Sequence, residues 1–400
     1  MRSAGASWAV WIKKMSQPNA TTERQRICIV TATPLTLHAF MRNHMKCMAA
    51  RYEVTAVSNF ESNEEFRDQF PGIRLVHVAI ARPISLLADL LALFGLLRFF
   101  RRERFDVVHS VTPKAGLLAM TAARWAPIPN RIHNLSGQVW ATRHGLVRSL
   151  LKNVDRITLA NATRLLSDSL SQTKFLEEEG VVSAERVEML GCGSICGVDA
   201  DRFRPSQEVR KAVRDGLGVP QSGLLVLFVG RLNRDKGILD LAQAFARLAS
   251  RRDDVWLVVA GSDEAGIGAD FDRLCGDSLA RVRRVGHTDL PEQYMAAADI
   301  LALPSYRESF GLTVIEAAAC GVPAVASRVY GLTDAIDENL TGLMHVPGDV
   351  AGIEAALERL IADPELRGRL GAVARERALR DFSMERLSGE LMAFYGRILG

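Results

Sequence analysis

No CxxC pair occurs among the six cysteines of this chain, which removes the usual frameworks for a structural zinc or a thiol-redox centre. Cys192 and Cys196 lie four apart with no second ligand pair, so they and Cys28, Cys47, Cys275 and Cys320 read as reduced thiols of a cytoplasmic chain. Charge of one sign is also scarce. Fifty Lys and Arg against 46 Asp and Glu leave +4 over 400 residues, too little to argue for a nucleic-acid partner. No GxGxxG follows an early strand, which weakens a nicotinamide-dependent oxidoreductase as a reading. Long apolar runs are missing as well. Trp8 to Ile12 is too short for a signal-peptide core, and residues 1–24 are expected to form a mobile extension. In "ISLLADLLALFGLLRFFRRERF", Asp89 and Arg98 interrupt an apolar part shorter than the roughly 20 residues of a spanning helix. A helix buried inside a domain is expected there. The rival is a helix lying on a bilayer, with Arg98, Arg101, Arg102 and Arg104 meeting anionic headgroups.

What the chain does have is a regular alternation of short apolar runs and amphipathic segments. "RICIVTA", "EVTAVS", "RLVHVAI", "FDVVHSV", "RIHNL" and "RLLSDS" read as strands with helices between them. After "GVDADRFRPSQE", a polar linker, the period restarts with "GLLVLFVG", "VWLVVAG", "RVRRVG", "DILALPS" and "PAVAS". Such βαβ series predict α/β architecture: two Rossmann-like, doubly wound domains facing a cleft. The expected boundaries are 25–200 for the first domain, 201–375 for the second, and 376–400 for a C-terminal helix packing back toward the first.

Two stretches carry chemistry. In "VGRLNRDKG" a strand ends at Gly230, and Arg231 and Lys236 follow before the next helix. A glycine permits close backbone approach, and two cations beside a helix N-terminus suit a diphosphate. In "RESFGLTVIEAAACGVP" a helix begins near Gly311 and Leu312, and seven residues separate Glu308 from Glu316. Free amides at that helix start attract an anion, and a carboxylate one turn in can accept hydrogen bonds from two ribose hydroxyls. Standing alone, both glutamates would pass as complements to the helix dipole.

Together, "GRLNRDKG", "ADILALPSYRESFGLTVIEAAACGVPAVAS" and "ENLTGLMHVPGD" resemble three successive signatures of the donor domain of glycosyltransferase family 4, retaining enzymes of the GT-B fold. The glutamate pair resembles that family's E-x7-E pattern. The resemblance implies that Arg231 and Lys236 bind the donor pyrophosphate, that Gly230, Ser309, Phe310, Gly311 and Leu312 line the donor site, and that Glu316 holds the ribose. Glu308 would lie near the transferred sugar. The donor would be a nucleotide-diphosphate sugar, most often UDP-linked, with no metal or further cofactor. More loosely, "SVTPKAGLLAM", "GQVWATRHGLVRSLLK", "LSDSLSQTKFLEEEGV" and "LGCGSICGVDADRF" resemble bacterial hexosyl- or N-acetylhexosaminyltransferases of capsule, exopolysaccharide and O-antigen (lipopolysaccharide) assembly. Their acceptors are glycans or polyprenyl-diphosphate-linked sugars, which implies a cytoplasmic protein with peripheral contact at the inner-membrane face.

One departure leaves alternatives open. Where the wider family has a His-Gly step, "HNLSGQVW" places Ser136 before Gly137. Either His133 takes the role beside the donor sugar, or Ser136 and Gln138 supply hydrogen bonds instead; a structural histidine is the plain alternative. Lys114, Ser136, Gly137 and Gln138 are the acceptor-side candidates. The usual N-terminal Gly-Gly loop is replaced by "TATPLTLHAF". A sugar-nucleotide-binding subunit without catalysis is the alternative function. "DAD" at 199–201 falls in the linker with nothing nearby to complete a metal site.

Overall fold

The apolar runs become parallel strands in two separate sheets of a computed structural model that describes residues 24–400 apart from 61–65, 67 and 82–84. Most of the expected N-terminal extension therefore lies outside the described residues. The first sheet is ordered β3-β2-β1-β4-β5-β6-β7: Arg26–Val30 (β1), Glu53–Ser58 (β2), Arg74–His77 (β3), Val107–Val111 (β4), Asn130–Leu135 (β5), Arg164–Ser167 (β6) and Val187–Met189 (β7). Ile27 registers with Val54 on one side and Val107 on the other, so the strand order reverses between β1 and β4. The second sheet is ordered β10-β9-β8-β11-β12-β13: Leu224–Val229 (β8), Val255–Ala260 (β9), Val282–Gly286 (β10), Ile300–Leu303 (β11), Ala324–Ser327 (β12) and Gly342–His345 (β13). Its reversal lies between β8 and β11, where Ile300 registers with Val226. Central strands such as β8 are apolar throughout because helices cover both faces of a parallel sheet.

The helices used below are Arg42–Ala49 (α1), Leu86–Glu103 (α2), Pro113–Trp125 (α3), Gly145–Asn161 (α4), Gln207–Leu217 (α5), Ile238–Ala249 (α6), Leu312–Ala319 (α7) and Met384–Leu399 (α8). The chain divides into one unit ending at Cys196 but including Met384–Gly400, and a second spanning Gly197–Ser383. In the first, α8 buries Leu387, Leu391, Phe394 and Tyr395 among Met45 and Met48 of α1. In the second, the stretch read as a linker is packed: the Val198 amide donates to Phe382 at 2.7 Å, and Phe203 joins the core.

The stretch expected as a buried helix differs from that reading. α2 buries only one side (Ala92, Leu93, Leu96, Phe99 and Phe100) and leaves Leu87, Leu91 and Phe94 exposed. Among the described residues no helix is long and apolar enough to cross a membrane.

Candidate functional site

Chain reversal between β8 and β11 splays apart the loops that follow these two strands, and such a switch point is where open parallel sheets receive ligands. The loop after β8 carries Gly230, Arg231 and Lys236; the loop after β11 carries Ser305, Glu308 and the start of α7. The two loops are fastened together. The Tyr306 amide donates to the Asp235 carbonyl at 2.8 Å, and Arg307 pairs with the Asp235 carboxylate at 3.1 Å. Gly237 makes the approach possible. Its φ is +66°, and a Cβ there would stand 1.9 Å from the Pro304 carbonyl oxygen.

Closing the loops brings Lys236 to Glu308. The ammonium lies 2.5 Å from Glu308 Oε1, and the buried Ser305 hydroxyl donates to that same oxygen at 2.8 Å. Asn233 caps the turn that presents Lys236, accepting from its amide at 3.0 Å. Arg231 is half-exposed and pairs with Glu264, at 3.1 Å, in the loop after β9. Both cations expected to meet an anion are therefore held by carboxylates on protein loops, Lys236 in a partly buried pair and Arg231 in one that is half in water.

α7 begins at Gly311, which has φ +93° and offers no side-chain cap, so the amides of Leu312 and Thr313 have no carbonyl within the helix. A Cβ at Gly311 would meet Leu332 Cδ2 at 2.5 Å. Phe310 turns its ring inward, 5.1 Å from Phe382 between centroids, so only its backbone remains for a ligand. Ser309 is partly buried beside it. Glu316 sits further along α7. Burial pushes its carboxyl up to about 8, with Arg202 opposing and Glu292 adding to the shift, and no side chain among the described residues hydrogen-bonds it.

The acceptor-side candidates belong to the first unit. His133, on β5, is buried against Gly116 of α3, its Nδ1 2.9 Å from the Ser110 hydroxyl. Gly137 has φ +90°. Gln138 is buried and accepts from Gln172 Nε2 at 3.3 Å, whereas the Ser136 hydroxyl is buried and has no partner among the described residues. Lys114, at the start of α3, pairs with Asp89 of α2 at 2.7 Å.

His133 and two further histidines also have a consequence for stability. His109 meets the Tyr395 hydroxyl at 2.7 Å, and His44 bridges Ser388 and the Ile195 carbonyl. Burial lowers all three, His109 to about 3 and His133 to about 4. The unfolded chain, with histidines near 6.5, therefore takes up protons first as pH falls. The histidines' contribution to stability is full above that value and declines toward pH 4 by about 1.4 kcal/mol per pH unit for each one that stays neutral when folded. Melting curves from pH 6.5 to 4.5 should fall less steeply for His133→Gln than for the parent chain, the difference growing as pH drops; the same pH dependence in both would contradict it.

Sequence reasoning missed the group that aligns β8 and β11. Arg214 of α5 is fully buried, donates to the carbonyls of Gly223 at 2.7 Å and Ala297 at 3.0 Å, and pairs with Asp299 at 2.6 Å. Asp299 also accepts from the Leu225 amide at 2.7 Å. The starts of both strands are thus tied together at the end opposite the site. Glu264 was missed too, because its partner Arg231 lies 33 positions away, and so was Ser305, although Glu308 is only three residues further on. Asp199 of "DAD" accepts from the amides of Asp201 and Arg202, as a turn residue does.

Residues 209–377 match the family described as Glycosyl transferases group 1, and residues 37–193 match the Glycosyl transferase 4-like domain. A capsular polysaccharide biosynthesis glycosyltransferase of Staphylococcus aureus, CapM, is 29% identical over 328 residues, covering 80% of this chain and 84% of that protein. D-inositol 3-phosphate glycosyltransferase of Mycobacterium tuberculosis is 33% identical over 314 residues, 74% of this chain, and the match spans only 62% of that protein's length. Among solved structures, Anabaena HepE in complex with UDP and glucose superposes with a TM-score of 0.77 at 18% identity, covering 94% of this chain and all (100%) of that one. WaaG, a glycosyltransferase involved in lipopolysaccharide biosynthesis, gives 0.72 at 19%, covering 92% of this chain and 98% of that one. These likenesses show the fold, GT-B.

Proposed function

We propose a donor and an acceptor class from one premise: the chain belongs to glycosyltransferase family 4 and is a glycosyltransferase. The donor is a UDP-sugar, and the acceptor is a hydroxyl of a glycan or of a polyprenyl-diphosphate-linked sugar in cell-surface polysaccharide assembly. The transferred group is a hexosyl or N-acetylhexosaminyl unit. The observation that carries the reading is the meeting of Lys236 with Glu308 beside the uncapped start of α7.

The chemistry follows from charge. As the bond from C1 to the donor diphosphate breaks, the sugar becomes oxocarbenium-like and the diphosphate oxygen takes the electron pair. Lys236, Arg231 and the amides of Leu312 and Thr313 meet that growing negative charge, which is generally the largest contribution to catalysis. When a diphosphate enters, it competes with Glu308 for Lys236 and with Glu264 for Arg231, so each carboxylate holds its cation in position until the ligand arrives. The helix start adds roughly 0.3–1 kcal/mol, more where water is excluded. Glu316 binds the ribose hydroxyls. The acceptor oxygen attacks C1 on the face the diphosphate leaves and passes its proton to the departing phosphate, so configuration is retained. The complexes of Anabaena HepE with UDP and with UDP-glucose support the choice of nucleotide.

A thermal-shift screen tests the donor. A ligand present at a hundred times its dissociation constant stabilises the folded state by about 2.7 kcal/mol. UDP and UDP-sugars should raise the melting temperature, and GDP- and ADP-sugars should leave it in place. A response confined to a guanine or adenine nucleotide would overturn the donor assignment.

A further inference from the structure

Apolar residues left in water are concentrated on two helices of the first unit. α2 exposes Leu86, Leu87, Leu90, Leu91 and Phe94, and α4 exposes Leu146, Val147, Leu150 and Ile157. These are nine of the nineteen exposed large hydrophobics among the described residues, so the surface is not merely dotted with them. Leu87, Leu91, Phe94 and Arg98 follow one another at helical spacing along a single stripe of α2, as Leu146 and Leu150 do on α4.

Topology puts these residues at one edge. α3 packs against both α2 and α4 and so lies between them. Each of the three helices is the crossover from one parallel strand to the next, and so each begins beyond the carboxyl end of its strand. The leucines of α2 and α4 fall mainly in the first turns of both helices. The pairing of Lys114, at the start of α3, with Asp89 in the first turn of α2 holds two of these ends together.

Charge identifies the partner. Residues 86–104, 113–125 and 143–161 contain ten Lys and Arg but only Asp89, Glu103 and Asp155 as acids, whereas the whole chain carries a net +4. Every one of those acids is already occupied: Asp89 by Lys114, Glu103 by Arg26 and Arg74, and Asp155 by the Trp140 indole at 2.7 Å. Among the described residues Arg98 and Arg143 meet no carboxylate. An apolar face bordered by unneutralised guanidinium groups, on helices too short and too charged to span, fits the interface of an anionic bilayer.

We infer that the exposed leucines of α2 and α4, with Arg98 and Arg143, dock this chain onto an anionic phospholipid surface, the leucines entering the acyl boundary and the guanidinium groups meeting lipid phosphates. The inference is independent of the donor assigned above.

Co-sedimentation of the full chain with vesicles tests it, using phosphatidylcholine alone and phosphatidylcholine mixed with phosphatidylglycerol. The chain should bind the mixed vesicles and release them as salt rises. The combined Leu87→Ser, Leu91→Ser, Leu146→Ser and Leu150→Ser variant should bind at least about tenfold more weakly. Arg98→Gln with Arg143→Gln should lose about 20-fold on mixed vesicles and little on neutral ones. Melting temperature and its response to UDP serve as controls, and neither variant should change them. Three results would overturn the inference: no vesicle binding, binding that ignores both variants, or self-association of the chain that the leucine variant abolishes. Vesicle binding that appears only after deletion of residues 1–23 would assign the face to that segment, and would overturn it equally.

Discussion

Lys236→Ala should lower the rate of sugar transfer by on the order of 10²–10³ while leaving the melting temperature close to that of the parent chain. The side chain sits at the surface of the second unit, 23% exposed, and its removal takes no packing from the core. In the proposed reaction the ammonium faces most negative charge as the diphosphate departs, so its loss should appear in turnover more than in affinity for the intact donor. Its partner is not stranded by the change, because Glu308 keeps the Ser305 hydroxyl and some exposure to water. Lys236→Arg should recover only part of the rate, since a planar fork replaces a compact charge in a turn shaped by Asn233 and Gly237. UDP release from a UDP-sugar and acceptor, followed alongside a melting curve, reads both effects. Near-normal transfer by Lys236→Ala would contradict the role assigned to it.

The largest effect on stability should come from Arg214→Ala. Its guanidinium is buried completely and meets four backbone carbonyls besides Asp299. Truncation leaves those carbonyls short of a donor and Asp299 relying on Arg210 and the Leu225 amide. Breaking one half of a buried pair typically costs about 3–5 kcal/mol. The loss should be felt at the far ends of the same strands, because β8 and β11 are registered at their starts by this cluster and carry Lys236 and Glu308 beyond their ends. Denaturant unfolding should show a lower midpoint for Arg214→Ala and a reduced UDP-induced shift. An unfolding free energy within about 0.5 kcal/mol of the parent chain's, the usual range for surface changes, would refute this account of the cluster.

The strands were legible because parallel sheets bury both faces and so write continuous apolar runs into the chain, as in "LLVLFV" of β8. β7 and β13 escaped notice for the same physical reason in reverse. "VEM" and "GLMH" are short and mixed, and each lies at the edge of its sheet. α2 was misjudged because composition reports how apolar a helix is but not which side has a neighbour. Arg231, Lys236 and Glu308 stood out because glycines and strand ends surround them. Glu264 and Asp299 did not, since Glu264 is 33 positions from Arg231, Asp299 is 85 from Arg214, and neither pairing has a local period. Among the acceptor-side residues, a sequence can propose His133 for chemistry, but its burial against Gly116 and its bond to Ser110 depend on how β4, β5 and α3 assemble.

The central claim is that the loop after β8 and the start of α7 receive a diphosphate. Calorimetric titration of UDP and of uridine against the parent chain and Lys236→Ala tests it directly. The account predicts that UDP binds the parent chain at least about 100-fold more tightly than uridine, roughly 2.7 kcal/mol, and that most of this margin vanishes in the variant. Equal affinities for UDP and uridine in the parent chain, or a margin that survives the loss of Lys236 intact, would contradict it.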